Sequence, residues 1–320
     1  MLIYKYTFLI FCLMISNVYG KNLKNNQNKN CDAQTQDIPC MFSNIITSPI
    51  GTYNSLIEQT AYCKMQGFHT NSRISSTSPK MFQDGRVTFG VGLSHKQFGS
   101  LQENNKWMDA IEGSLTCGMC IEILDIEKMP EFNKELTNWD YFTPKKTPFI
   151  AMVFDQCKDE ICESGFLDFD IYNKKQPVSF GNISGIKWRG VECPVQEDKL
   201  EYLICSQNTC NFTEKKQNKF MNVFTPNWFS IIIRNHRIPI LEVFVYNFSK
   251  NHYQKLEYKS SIGFVSSNNF QEQNENKIHI KIVTYDNKEH FDIIDLNKHF
   301  DENTTEGYNG GMIIEGNIQV

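Results

Sequence analysis

The residues of this chain best suited to chemistry lie between Val153 and Pro194. Val153-Phe-Asp155-Gln-Cys157 precedes Cys162-Glu-Ser-Gly165-Phe-Leu-Asp168-Phe-Asp170, and Gly185-Ile-Lys-Trp188-Arg-Gly-Val191-Glu-Cys193-Pro194 follows. Asp168 stands between Leu167 and Phe169, and a carboxyl partly desolvated by apolar neighbours holds its proton more tightly. Such a group can do acid work or grip the hydroxyls of a sugar. Taken alone, Asp168 also reads as a residue capping a turn. Asp155 reads equally as a structural hydrogen-bonding residue and as a binding one.

What surrounds these residues narrows the setting. Residues 1–20 read as a secretory signal peptide: Lys5 supplies the charge, Phe8 to Ile15 the apolar run, and Val18-Tyr-Gly20 the small residues for cleavage. The mature chain then starts near Lys21, and no later apolar run reaches the length of a membrane span. A soluble, secreted monomer without a membrane anchor is the expectation. Of the 11 cysteines, Cys12 falls within the signal. The remainder, Cys31, Cys40, Cys63, Cys117, Cys120, Cys157, Cys162, Cys193, Cys205 and Cys210, form an even set suited to disulfides in an oxidising compartment. Their pairing stays open. The Cys117-Gly-Met-Cys120 spacing lacks a second such pair or a histidine at ligand spacing, so disulfide chemistry is expected there, with no metal and no cofactor.

Sequons at Asn182, Asn211, Asn247 and Asn303 fit a glycosylated surface. The formal charge of -4 and the absence of a basic stripe exclude nucleic acid as an expected partner.

All of the cysteines precede Thr213, dividing the chain into a cysteine-rich front and a cysteine-free back. Residues 21–82 read as a polar leader and a cysteine-containing extension, 83–196 as a first β domain, 197–216 as a linker and 217–320 as a second β domain. Short β-type runs dominate both: Arg86–Phe89, Cys120–Leu124, Phe149–Phe154 and Ile186–Glu192 in front, then Trp228–Arg234, Ile240–Tyr246, Tyr253–Tyr258, Ile278–Val283 and Gly311–Glu315 behind. A barrel or sandwich is expected in front and a compact sandwich behind. Asn104 to Gly113 is the one expected helix. Trp188 is expected in the core, and period-2 alternation puts Trp228 with Ser230 and Ile232 on the face opposite Phe229, Ile231 and Ile233.

These residues together resemble the expansin family, in particular its bacterial and other non-plant members. The barrel side carries Asp84-Gly-Arg-Val-Thr88-Phe-Gly-Val-Gly92, Cys117-Gly-Met-Cys120-Ile-Glu-Ile123, Val153-Phe-Asp155-Gln-Cys157, Gly165-Phe-Leu-Asp168-Phe-Asp170 and Ile186-Lys-Trp188-Arg-Gly-Val191. The sandwich side carries Trp228-Phe-Ser-Ile-Ile-Ile-Arg234-Asn-His236-Arg-Ile-Pro239-Ile240, Gly263-Phe-Val-Ser266 and Gly316-Asn-Ile-Gln319. The resemblance implies a mainly β fold, a six-stranded double-psi β-barrel followed by an immunoglobulin-like β-sandwich. It further implies a secreted protein that binds cell-wall polysaccharide, cellulose or a similar β-glucan, and loosens the wall without hydrolysing it.

Carried over residue by residue, the family's essential aspartate falls on Asp168, its supporting acidic position on Asp155 and its first groove threonine on Thr88. A second groove threonine falls on Gly90, and the groove tyrosine of bacterial members on Cys157. Of the family's three sandwich aromatics one matches Trp228, one falls on Asn227 and one near Ser261, where Tyr258 and Tyr253 are the nearest rings.

Inverting hydrolysis needs an acid and a base. Related family 45 endoglucanases keep the base where this chain has Gly90, Val91 and Gly92, so a non-hydrolytic protein is expected. The alternatives are a glycan-binding wall or matrix component with an inert barrel, and a single-acid lytic transglycosylase.

Overall fold

The computed structural model describes residues 38–54, 63, 80–87, 89–98, 102–103, 106–107, 116–128, 147–156, 167–170, 182–205, 229–259, 263–266, 277–295 and 311–320. The front of the chain contributes α1 (Ile38–Ser43), β1 (Ile46–Asn54), α2 (Lys80–Gln83), β2 (Phe89–Leu93), α3 (His95–Phe98), β3 (Gln102–Glu103) and β4 (Lys106–Trp107). It continues with β5 (Cys120–Lys128), β6 (Phe149–Gln156), β7 (Leu167–Asp170) and β8 (Asn182–Val191). The back contributes β9 (Glu201–Cys205), β10 (Phe229–Arg234), β11 (Ile240–Asn247), β12 (His252–Lys255) and β13 (Glu257–Lys259). It ends with β14 (Gly263–Ser266), β15 (Lys277–Thr284), β16 (Glu289–Asp295) and β17 (Gly311–Glu315). The protein is mainly β.

Six strands of the front close into a barrel in the order β1-β7-β2-β6-β5-β8. Two of its joints are parallel, β1 with β7 and β2 with β6, and the others antiparallel. Closure removes the unpaired edges that would otherwise template aggregation. Ile46, Val91, Ile121, Val153, Ile186 and Trp188 fill the core, Trp188 as expected. Cys63–Cys117 and Cys120–Cys193 are disulfides spanning 54 and 73 residues. In the chain-entropy account, loops of that size are worth about 4 kcal/mol each. Cys40 is also disulfide-bonded.

The barrel starts earlier than the sequence suggests. β1 comes from the stretch read as an extension, because Ile-Thr-Ser-Pro-Ile-Gly-Thr-Tyr-Asn lacks an apolar period. Its Ser48 is nevertheless fully buried, and the indole Nε1 of Trp188 donates to its hydroxyl at 3.0 Å. A buried hydroxyl with a partner loses its desolvation penalty. The strand expected at Arg86 begins only at Phe89, since Arg86 is committed to Asp84, to Asp198 and to the Pro194 carbonyl. Lys106–Trp107 pairs with Gln102–Glu103 as a small hairpin, not as the start of a helix.

The back forms a five-stranded sheet, β13-β14-β10-β9-β17, and a four-stranded sheet, β12-β11-β15-β16. Their inner faces enclose a second core including Tyr202, Phe229, Ile231, Val243, Ile280 and Ile282. β9 lies in the stretch read as a linker: its Glu201 stands opposite Arg234 in register, and the two form a buried ion pair. The run 253–258 is not one strand. It breaks at Leu256, β12 joining one sheet and β13 the other.

Barrel and sandwich are joined along a seam. The amide of Cys193 donates to Arg237 O at 2.7 Å, Phe42 stacks on Tyr285 at 4.7 Å, and Lys80 pairs with Glu315 at 3.2 Å. His236 sits in this seam, 2 % exposed, with Nδ1 2.9 Å from Ile238 O. Burial pushes its pKa down from 6.5 to about 4. The unfolded chain therefore binds the proton first as pH falls, so stability is full above pH 6.5 and is lost progressively down to about pH 4. A shift of that size corresponds to about 3 kcal/mol. Thermal melting across this pH range should show the loss, and His236→Gln should flatten that part of the profile; an unchanged slope in the variant would exclude His236 as its source.

Candidate functional site

The site is built by three neighbouring strands of the barrel, β6, β2 and β7, with β1 beyond. On β2, Gly90 pairs with Met152 and Val91 with Val153, but Gly92 pairs with Asp155. The register therefore slips by one residue between Val91 and Gly92, passing over Phe154. Across the other edge of β2, Gly92 pairs with Asp168, which pairs in turn with Thr52 on β1. A single row, Thr52, Asp168, Gly92, Asp155, thus crosses four strands. Without the bulge Phe154 would oppose Gly92 and the later residues of β6 would exchange faces.

Gly92 separates the two aspartates by two strand spacings, about 10 Å between their Cα positions. Its lack of a side chain leaves the middle of the row free of bulk. Asp155 is half-buried and already engaged within the protein. Gly90 has a different role. A Cβ built there would lie 2.2 to 2.9 Å from ring atoms of Phe154, itself 1 % exposed. The bulged Phe154 ring occupies the space that a threonine or a carboxylate at position 90 would need.

The approach to β2 is fixed by charge. Arg86 Nε donates to Asp84 at 2.7 Å and Nη2 to Asp198 at 2.5 Å. The hydrogen bond from Arg86 holds the Asp84 carboxyl below its ordinary pKa, and the same bond raises that of Arg86. An anchored arginine sets where the chain turns into the strand.

Of the sequence-predicted residues, Asp155 and Asp168 are brought together. Thr88, Trp228, Cys31, Cys157, Cys162, Cys210, Asn211 and Asn303 lie outside the described residues. Cys205 is in β9 and Asn182 opens β8. Tyr258 and Tyr253 are separated onto different sheets. Tyr258 Oη lies 3.7 Å from the disulfide sulfur of Cys117, and its ring meets Phe264 edge-on at 4.9 Å. Tyr258 therefore packs at the seam, half-buried. The face of β10 expected to be open is also covered, Ser230 being 0 % and Ile232 5 % exposed. Ile232, Tyr258, His236 and both cysteines of the Cys63–Cys117 bridge line one small cavity between that face and the barrel.

Asn247 is 1 % exposed, its Nδ2 donates to Gln254 at 3.3 Å and its Oδ1 accepts from Lys250 N at 3.0 Å. The nitrogen a glycan would occupy is enclosed in the folded chain. Thr52 was missed by sequence reasoning, because no pattern marked β1 as a strand.

No protein-family model matches the chain, and no curated protein does. Among solved structures, the crystal structure of the apo expansin of Clavibacter michiganensis matches. The TM-score is 0.45 at 14% identity, over 78% of this chain and 89% of that one.

The crowding at Gly90 is directly testable. Gly90→Thr should destabilise the protein by about 1–3 kcal/mol, the usual cost of overpacking. Phe154→Ala in the same chain should recover part of that loss if the two side chains compete for one space. Additive losses in a double-mutant cycle, read by denaturant unfolding, would show that they do not.

Proposed function

We propose that this chain is a secreted expansin-like protein that binds neutral cell-wall β-glucan on its barrel and loosens the wall without hydrolysing it. The observation that carries this reading is the ring of Phe154 against Gly90. It fills one of the positions, Gly90 to Gly92, among which a related inverting hydrolase holds its base, and this supports an acid at Asp168 working without that partner. Support also comes from the barrel's connectivity. Parallel pairings β1–β7 and β2–β6 set among antiparallel ones fit a double-psi barrel, and the two sheets behind fit an immunoglobulin-like sandwich.

On this reading Asp168 grips sugar hydroxyls as a charge-assisted acceptor. Thr88, the expected groove threonine, adds a neutral hydrogen bond, and Gly92 leaves room for the ring. Disulfides and the expected signal peptide suit extracellular work.

One observation favours a second reading. The Cα positions of Asp155 and Asp168, about 10 Å apart, would allow carboxyls in the roughly 6.5–9.5 Å window of inverting glycosidases. In that case Asp155 is the base and the chain is an enzyme. A paired assay separates the two. Extension of a cellulosic wall strip under constant load should be supported by the protein with no release of reducing ends, and Asp168→Ala should abolish it. Reducing ends rising in proportion to protein, and lost in Asp155→Asn, would overturn the non-hydrolytic reading.

A further inference from the structure

The outer face of the sheet β12-β11-β15-β16 is unusual for a protein surface. Of the four large hydrophobic side chains that are exposed among the described residues, three lie here: Phe248 at 41 %, Phe291 at 52 % and Ile293 at 47 %. β16 reverses the ordinary pattern, turning Phe291 and Ile293 outward while Asp292, 3 % exposed, and Ile294 face in. The buried carboxylate of Asp292 accepts from Tyr202 Oη at 2.9 Å and from Asn317 N and Nδ2 at 3.0 and 2.8 Å. A strand that commits a buried carboxylate to four donors, the Ile293 amide included, while leaving two large apolar side chains in water has its outer residues set by something other than folding.

Rings from neighbouring strands meet these exposed ones. Tyr246 is 4.9 Å from Phe248 and 5.1 Å from Tyr253, while Phe248 is 5.1 Å from His279 and Tyr253 is 5.7 Å from Phe291. All four contacts are edge-to-face, at 62° to 84°. Each ring is thereby held in a fixed orientation, which lowers the entropy lost when a ligand packs on it.

The charges on this face cancel. Lys281 pairs with Glu289 at 2.9 Å while its ammonium lies 4.3 Å over the Phe244 ring, and Lys255 pairs with Glu242 at 2.6 Å. Lys277 stands opposite Asp295 in register. Three cations thus face three carboxylates, and a partner must be recognised by apolar faces and hydroxyls in place of net charge. Asn247, next to Phe248, is enclosed in the folded chain, 1 % exposed.

We propose that this sheet face is a second binding surface for a neutral polysaccharide, in which sugar rings pack on Phe248, Tyr246, Tyr253 and Phe291. Tyr253 Oη and the His279 ring supply hydrogen bonds to hydroxyls. The proposal rests on the polysaccharide-binding reading above but concerns the sheet that does not contain β10. It gives the sandwich a second binding face, on the outer side of that sheet.

The test is depletion of the full chain from solution by insoluble cellulose, xylan and chitin, with polygalacturonate as an acidic comparison. Phe248→Ala/Phe291→Ala removes two exposed rings, and its thermal melting should match wild type. The expected result is binding to at least one neutral polysaccharide that the double variant weakens about tenfold, near the sum of two aromatic contacts. Binding unchanged in that variant but weakened by Asp168→Ala overturns the second surface and leaves the barrel reading standing. Retention on none of the neutral polysaccharides sinks both. Preference for polygalacturonate, or a wild-type dimer in solution that the variant converts to monomer, overturns the neutral-glycan occupant.

Discussion

The site depends on a bulge of one residue. β2 and β6 run in register until Val91, and there Phe154 leaves the ladder so that Asp155, not Phe154, meets Gly92. The displaced ring needs room, and Gly90 supplies it. Bulge, glycine and ring form one mechanical unit: the ring cannot settle without the missing Cβ, and the aspartate cannot reach its row unless the ring leaves it. The same packing that assembles the acidic row therefore denies it a carboxylate at position 90. Local sterics thus decide which side chains can share that stretch of β2 and β6.

Around that unit, several polar side chains are buried against partners. Ser48 under Trp188, Glu201 with Arg234, and Asp292 with Tyr202 and Asn317 each occupy a strand position that an apolar residue would ordinarily take. Burial of Tyr202, followed by the charge of Asp292, pushes the phenol's pKa far up, so it remains a donor at any physiological pH. Gly316 completes the arrangement, since a Cβ there would come within 2.6 Å of Asp292 Oδ2 and of the Tyr202 ring. Such pairs add little net stability, but removing one partner leaves the other stranded.

This explains which parts of the chain could be read in advance. β10, β11 and β15 announce themselves by apolar side chains at strand spacing, and Ile278, Ile280 and Ile282 are all fully buried. β1, β9 and β16 are opaque for the opposite reason: Ser48, Glu201 and Asp292 are buried polar side chains whose partners lie far along the chain. Asp155 and Asp168 were legible as a pair of residue types. Their shared row was not, because it turns on a register slip that no spacing encodes. The openness expected for Trp228's side of β10 failed at Ser230 and Ile232 because alternation tells which residues share a face, and not whether another domain covers it.

The break at Leu256 has a consequence for load. Residues 252 to 259 leave the sheet that carries the aromatic face and enter the sheet that lies against the barrel, with Leu256 N anchored to Val243 O at 2.8 Å. Two stacked sheets held only by apolar contact can shear, because such contacts have no direction. Here a covalent strap runs from Tyr253 to Tyr258, and Tyr258 abuts the Cys117 sulfur. The chain itself thus ties the two sheets together, while the Tyr258 hydroxyl, 3.7 Å from the Cys117 sulfur, meets the barrel by a non-covalent contact.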